Sequence, residues 1–328
     1  MSCLDACNRP ISYLRVSVTD RCNLRCLYCM PPEGVPFRAH QEILRYEEIE
    51  RVVRAAAGLG ISKVRLTGGE PLVRLGIVSL VEMLARIRGI DDLAMTTNGI
   101  HLARYAHDLR LAGLKRVNVS LDTLQEDKYA HITRGGRLAD ALAGIESAER
   151  EGLVPLKINT VVLRGFNADE IVDIARLTLQ RPWHVRFIEL MPLNNDAQGF
   201  EQSYMPTEEV REAIVKALGE LEPVQPVHGS GPAAYYRLAG AVGTIGFISP
   251  VSEHFCGQCN RLRLTADGRL RPCLLANKEI DLRSVLRRGA EIAEIQELLR
   301  QAILAKPAGH QLQEHVLPEG RVMSEIGG

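Results

Sequence analysis

Between Tyr13 and Val18 apolar and polar residues alternate, with Leu14, Val16 and Val18 on one face. A period of two predicts a half-buried strand. More short apolar runs follow at 63–67, 93–97, 116–121, 156–163 and 185–190. Between them the period lengthens to that of a helix, at about 46–59, 73–88, 102–112, 138–151 and 168–179. In the last of these Ile171, Ile174, Ala175 and Thr178 share a face, and Asn167 is placed to cap its start. Gly60, Gly113 and Gly152 stand where helices should stop. Six strands alternating with helices predict a parallel α/β sheet with right-handed crossovers. Six are too few for the closed eight-stranded barrel. The expected fold is an open, partial (β/α)6 barrel of the TIM type, with a lateral cleft.

The rhythm breaks after Leu190. Residues 191–206 read as a loop containing Pro192, Asn194, Asn195 and Gly199, and Thr207 is expected to cap a helix reaching about Leu218. From 222 to 272 the chain is rich in proline and glycine, with strand-like runs at 235–238, 244–248 and 262–265. Asp267 and Gly268 mark a hairpin turn. Residues 282–304 read as one or two helices. The expected division is a barrel over 1–220 and a C-terminal region over 221–328.

A chain of 328 residues, 46% of them apolar, can bury a substantial core. Its 40 basic and 40 acidic side chains cancel. This argues against a nucleic-acid-binding surface but leaves room for a local basic pocket. No apolar run nears the roughly 20 residues of a membrane span. Asp5, Arg9, Arg15 and Asp20 leave no room for a signal-peptide core, so a cytoplasmic protein is expected. In that reducing setting the eight cysteines are metal ligands or free thiols rather than disulfides. Six of them fall in two clusters, which favours metal. Cys3 and Cys7 fit neither cluster and are read as incidental thiols.

The first cluster is Cys22, Cys26 and Cys29, in C-x-x-x-C-x-x-C spacing just after the first strand. Three thiolates on one short loop can hold three irons of a four-iron, four-sulfur cube, leaving the fourth iron open for chemistry. Tyr28 directly precedes the last cysteine. The segment resembles the cysteine loop of radical S-adenosylmethionine (radical SAM) enzymes, and that resemblance implies that the open iron chelates SAM.

In parallel barrels the functional groups sit at the C-terminal ends of strands. The second strand ends in Thr67-Gly-Gly-Glu-Pro71, where two glycines permit close backbone approach and Glu70 could meet an ammonium. In this position it is similar to the radical SAM segment that holds the amino group of SAM. The third strand ends near Thr96 and Asn98, and the fourth runs Asn118 to Asp122 through Ser120. These amides and hydroxyls suit ribose and carboxylate, or else cap helices. The fifth strand carries Lys157 and Asn159, and the sixth Arg186 and Glu189. Arg15, Arg65, Lys157 and Arg186 thus put cations on the barrel interior. They need an anion such as a phosphate, unless Glu189 or Asp122 pairs them. No P-loop is present.

The second cluster is Cys256, Cys259 and Cys273. Spacing alone admits either a second cube with an open iron or a zinc site with His254 as fourth ligand.

Larger stretches carry a more specific resemblance. They include Leu14 to Cys22, Cys29-Met-Pro31, Arg65 to Leu72, Thr96 to Gly99, Asn118 to Asp122, Arg186 to Met191, His254 to Thr265 with its Cys-Asn-Arg-Leu-Arg core, and Met323 to Gly328. In this order they resemble the GTP 3',8-cyclase family of molybdenum-cofactor biosynthesis. The resemblance implies a first [4Fe-4S] cluster on Cys22, Cys26 and Cys29, and SAM contacts at Tyr28, Gly69, Ser120 and Met191. It implies a second [4Fe-4S] cluster on Cys256, Cys259 and Cys273 whose open iron meets guanine. GTP contacts would fall on Arg15, Arg65, Thr96, Lys157, Arg261, Leu262 and Arg263, with Arg261 and Arg263 serving catalysis. Gly327 and Gly328 would form a tail directed at the active site. It further implies an electron donor, a homodimer, and product passed to cyclic pyranopterin monophosphate synthase. Leu75 and Gly76 depart from the family pattern, at what should be a helix start. The alternatives are another radical SAM enzyme with an auxiliary cluster, such as a peptide-modifying one, and a non-enzymatic iron–sulfur or zinc nucleotide-binding module. The Cys-Asn-Arg-Leu-Arg motif speaks against the former and the open-iron loop against the latter.

Overall fold

The computed structural model describes residues 3–193, 197–225, 231–310, 312 and 320–327. Twelve of the described strands form one sheet. In chain order they are β1 (Tyr13–Ser17), β2 (Lys63–Thr67), β3 (Asp92–Thr97), β4 (Arg116–Ser120), β5 (Lys157–Val162), β6 (His184–Glu189), β7 (Leu221–Val224), β8 (Ala234–Leu238), β9 (Thr244–Ile248), β10 (Arg261–Leu264), β11 (Arg269–Arg271) and β12 (Ile280–Asp281). Strands β1 to β6 pair side by side in parallel. Helices α1 (Tyr46–Gly58), α2 (Ile77–Ala85), α3 (Leu102–Leu111), α4 (Glu126–Thr133), α5 (Leu138–Arg150) and α6 (Ile171–Gln180) return the chain between them. This is the predicted partial barrel.

Two later strands lengthen the parallel run. β9 pairs with β6 and β10 pairs with β1, both in parallel. Antiparallel strands finish the two edges: β11 and β12 beyond β10, β8 and β7 beyond β9. Among the described residues the ends do not pair with each other, so the sheet stays open. The predicted hairpin at Asp267 and Gly268 joins β10 to β11, with Gly268 at φ +79°.

The strands alternate in a way that separates core from cleft. Leu14, Val16, Val64, Leu66, Leu93, Met95, Val117, Val119, Ile158, Val185 and Phe187 face the helices and join one hydrophobic core. Their neighbours in sequence, among them Arg15, Arg65, Thr96, Asn118, Lys157 and Arg186, line the interior. A barrel interior this polar cannot pack dry on itself, because each desolvated charge or amide needs a partner. It is built as a site.

Several local expectations are corrected. Asn167 does not cap α6. Its amide donates to the Asp122 and Val161 carbonyls (2.7 and 2.9 Å) and its oxygen accepts from Leu163 N–H (2.7 Å), which ties the ends of β4 and β5 together. Thr207 is the first residue of its helix rather than the cap; its hydroxyl serves Glu189 and Ser249. Residues 191–206, read as a loop, contain the short helix Ala197–Ser203. Asn194 and Asn195 lie outside the described residues. Helix α4 was not foreseen. Residues 282–304 form two helices, Arg283–Arg287 and Ile292–Leu304. Gly60, Gly113 and Gly152 do follow helix ends, at φ +86°, +105° and +74°. Gly76 is the N-cap residue of α2, which is the helix start anticipated there.

Candidate active site

Both cysteine triads line one cavity of about 320 Å³, one triad beyond β1 and the other flanking the β10–β11 hairpin. Because β10 pairs in parallel with β1, Cys259 just before β10 and Cys22 after β1 belong to neighbouring strands. Tyr28, Gly69, Ser120, Met191, Arg15, Arg65, Thr96, Lys157, Arg261 and Arg263 line the same cavity. Leu262 does not. Its side chain is fully buried in the core on the other face of β10, as alternation along a strand requires.

The first triad is shaped by the turn after β2. Gly69 N–H donates to the Thr19 carbonyl and Glu70 N–H to the Arg21 carbonyl, both at 2.8 Å. A Cβ on Gly69 would lie 2.3 Å from the Arg21 carbonyl oxygen, so only glycine lets this turn seat against the cysteine loop. Glu70 lines the cavity, but its oxygens are engaged. They accept from Thr97 Oγ1 (2.7 Å), Asn98 N–H (2.7 Å) and Leu72 N–H (3.0 Å), and burial lifts the carboxyl to about 7. Tyr28 donates to Asp122 (2.7 Å), whose carboxyl burial raises to about 6. Burial raises all three thiols, Cys22 to about 11 and Cys29 to about 12. Bound cations are what such a donor set would need to become thiolate.

The second triad is electrostatically different. Burial would raise Cys259, but Arg261 and Lys306 outweigh it and hold the thiol at about 7. His254, the alternative zinc ligand, does not line the shared cavity; its ring stands edge-on to His310 at 5.5 Å. Among the described residues no three His, Cys, Asp or Glu side chains gather around a single-ion position.

Between the triads runs a belt of cations set by strand register. Arg263, Arg15, Arg65, Ala94 and Arg116 are paired in turn across five strands. Thr96, Asn118 and Lys157 form a second row, and Ser120, Asn159 and Arg186 a third. The proposed carboxylate partners are used elsewhere. Asp122 holds Tyr28 and Val161 N–H, while Glu189 accepts from Thr207, Val251 and Ser252. Arg65 instead bonds the Tyr13 hydroxyl and Arg186 the Asn159 amide oxygen. Arg65 Nη1, Arg186 Nε, Thr96 Oγ1 and Asn118 Oδ1 are buried without a hydrogen-bond partner. Burial, then the charges of Arg186, Arg116 and Arg65, bring the Lys157 amine down to about 6. Burial likewise lowers Arg15 to about 10 and Arg263 further below its usual value. Mutually repelling, desolvated cations with unused donors are what a polyanion would complete.

The C-terminal tail reaches this site. Arg321 pairs with Asp267 (2.9 Å) and Glu279 (2.7 Å), and Arg38 with Glu325 (3.3 Å). These ion pairs anchor the helix Met323–Ile326, which places Met323 on the cavity wall and the Gly327 carbonyl on Arg263 Nη1. Gly328 lies outside the described residues. Sequence reasoning missed Lys63, Arg116, Lys306 and His310, which also line the cavity. The inward alternation of Lys63 with Arg65 and of Arg116 with Asn118 could have revealed the first two. Nothing local marks the other two.

An open parallel barrel with a three-cysteine loop after its first strand defines a radical SAM protein, and the Radical SAM superfamily model matches residues 16–178. The Molybdenum Cofactor Synthesis C model matches residues 183–312. The chain is 58% identical to the GTP 3',8-cyclase of Pelotomaculum thermopropionicum, covering 99% of each. It is 52% identical to that of Heliobacterium modesticaldum, over 99% of this chain and 100% of the relative. The chain belongs to the GTP 3',8-cyclase family. Among solved structures, Streptococcus suis SuiB bound to S-adenosylmethionine matches 87% of this chain and 68% of its own, at TM-score 0.58 and 14% identity. Native anSMEcpe with bound AdoMet matches 93% and 82%, at TM-score 0.53 and 14% identity. At that identity the likeness is one of fold.

Proposed function

We propose that this protein converts GTP to (8S)-3',8-cyclo-7,8-dihydroguanosine 5'-triphosphate, the first step of molybdenum-cofactor biosynthesis. The observation that carries the reading is the belt of desolvated cations lying between two cysteine triads in one cavity. Cys22, Cys26 and Cys29 would hold a [4Fe-4S] cluster, with Tyr28, Gly69, Ser120 and Met191 contacting SAM; bound there and given one electron by a donor, the pair would release methionine and supply a 5'-deoxyadenosyl radical to take a hydrogen atom from C3' of the ribose. Cys256, Cys259 and Cys273 would hold a second cluster beside the guanine. His254 lying off the cavity supports a cluster over zinc at this triad.

The chain's own residues do the rest. Arg15, Arg65, Lys157 and Arg186 bind the triphosphate by charge-assisted hydrogen bonds, each worth about 1.5–3 kcal/mol when desolvated. Thr96 presents a hydroxyl with no other partner to the nucleotide. Arg261 and Arg263 project from β10 between the second triad and β1, and orient the base and ribose for the ring closure between C3' and C8. Leu262 sets their spacing by anchoring β10 in the core, and the Gly327 carbonyl fixes the Arg263 guanidinium. Holding the two carbons together and excluding other hydrogen donors is the protein's share of the rate. An electron donor, a homodimer, a cytoplasmic setting, transfer of product to cyclic pyranopterin monophosphate synthase and a division of the chain near residue 220 complete this reading.

Anaerobic reconstitution followed by SAM, dithionite and GTP tests it. Cyclised nucleotide formed together with 5'-deoxyadenosine is expected. 5'-Deoxyadenosine that is independent of GTP, with no cyclised product, overturns it. Arg261→Ala with Arg263→Ala should lose GTP turnover while SAM binding persists; equal loss of both would make these arginines structural.

A further inference from the structure

Lys306 is 4% exposed, a depth at which an ammonium needs a counter-charge. Among the described residues no carboxylate pairs with it. Its Nζ donates to the Arg261 and Pro272 carbonyls, both at 2.8 Å, and its remaining contacts are to the Cys259 sulfur and the field of Cys273. Arg261 follows Cys259 by two residues and Pro272 directly precedes Cys273. One ammonium thus ties the end of the first cysteine turn to the start of the second, across the β10–β11 hairpin.

The adjacent backbone grips the remaining cysteine. Arg9 donates to the Cys256 carbonyl (2.7 Å) and to the Pro307 and Ala308 carbonyls (2.7 and 3.1 Å), with its own charge met by Asp5 at 2.6 Å. The segment around Lys306 and the N-terminal arm therefore clamp all three cysteines. Arg9 has its carboxylate, and among the described residues Lys306 has none. The anions Lys306 lacks are the thiolates a metal cluster would require.

We propose that Lys306 is the positioning residue of the second cysteine triad, fixing the loop that presents Cys259 and Cys273 and setting the positive charge beside the cluster they hold. This rests on reading Cys256, Cys259 and Cys273 as ligands of a second iron–sulfur cluster. A fixed cation next to a cluster favours its reduced, more negative form, so the ammonium raises the reduction potential.

The test is an EPR-monitored redox titration in a full-length background with Cys22, Cys26 and Cys29 replaced by alanine, so that one cluster titrates. Lys306→Met removes the charge at similar volume, and Lys306→Arg keeps it. At a fixed potential the ratio of reduced to oxidised cluster should fall about tenfold in Lys306→Met, equivalent to about 59 mV for one electron. Lys306→Arg should hold the ratio within about threefold of the parent, about 28 mV on the same scale. An unchanged potential in Lys306→Met overturns the proposal. If Lys306→Met loses its iron, recovery of iron and potential in Lys306→Arg supports the proposal, and loss in both overturns it. A parent that binds no iron at all, with intact wild type holding about four irons per chain rather than about eight, refutes the second-cluster reading itself.

Discussion

Lys157 gives the cavity a pH dependence that can be worked from its surroundings. Burial and the charges of Arg186, Arg116 and Arg65 bring its amine to about 6. Near neutral pH the amine of the free protein is therefore mostly neutral. A triphosphate would draw a proton onto it. Protonating the amine at pH 7.5 costs about 2 kcal/mol, at 1.36 kcal/mol per pH unit. The ammonium–phosphate bond gained is worth about 1.5–3 kcal/mol, so the two nearly cancel at that pH. At pH 6.5 the cost falls to about 0.7 kcal/mol, and at pH 8.5 it rises to about 3.4 kcal/mol. Lys157→Met should therefore weaken GTP binding about fourfold or more at pH 6.5 and less than about twofold at pH 8.5. The sign for folding is opposite. An unfolded lysine binds its proton up to about pH 10.4, so between about 6 and 10.4 this group makes the free protein more stable as pH rises. Anaerobic calorimetry with GTP in buffers of different ionisation enthalpy measures the proton uptake directly. Wild type should take up about half a proton more than Lys157→Met at pH 7.5. That difference removes the titration of the γ-phosphate itself. Equal uptake by the two proteins, or an affinity loss independent of pH, would refute the reasoning.

Other consequences follow from the same geometry. Glu189 accepts from the backbone of Thr207, Val251 and Ser252, and Glu189→Gln strands the donors on one oxygen; urea unfolding should show a loss of about 2–4 kcal/mol, and an unchanged midpoint would mean the hub is dispensable. Burial would raise the Glu189 carboxyl, but its hydrogen bonds from Ser252, Thr207 and Val251 hold it below its usual value. Its stabilisation is therefore complete above about pH 4.3 and lost as pH falls through the lower folded value, and Glu189→Gln should flatten that acid limb. Gly69→Ala drives a methyl against the Arg21 carbonyl; iron bound at the first triad should fall while the second is retained, and full iron content would show that the turn can shift freely. Arg321→Ala removes one of the two arginine partners of Asp267 and of Glu279, leaving Arg38 and Arg271, so limited proteolysis should release the C-terminal residues faster than in wild type, with unchanged cleavage counting against the latch.

The periodicities legible in the chain were those of self-contained segments. Strands β1 to β6, helices α1, α3, α5 and α6, and the glycines that stop three of these helices follow from residue order, because backbone hydrogen bonding and burial of one face are local demands. Where a side chain's best partner was distant in sequence, local rules misled. Asn167 and Thr207 look like caps, yet each serves groups brought in by other strands. Glu70 looks like a free ligand group, yet it is spent on Thr97 and Asn98.

By itself the sequence determined the two cysteine triads, their order and the alternation that turns Arg15, Arg65 and Lys157 away from the core. Only the tertiary structure decided what those residues face. Parallel pairing of β10 with β1 sets Arg261 and Arg263 beside Tyr13 and Arg15, across about 250 residues of chain. It turns Leu262 into the core and closes Lys306 and Arg9 over the second triad. Register between distant strands depends on the whole sheet forming at once, and so does the desolvation that strips these cations of water. No local stretch of sequence encodes either.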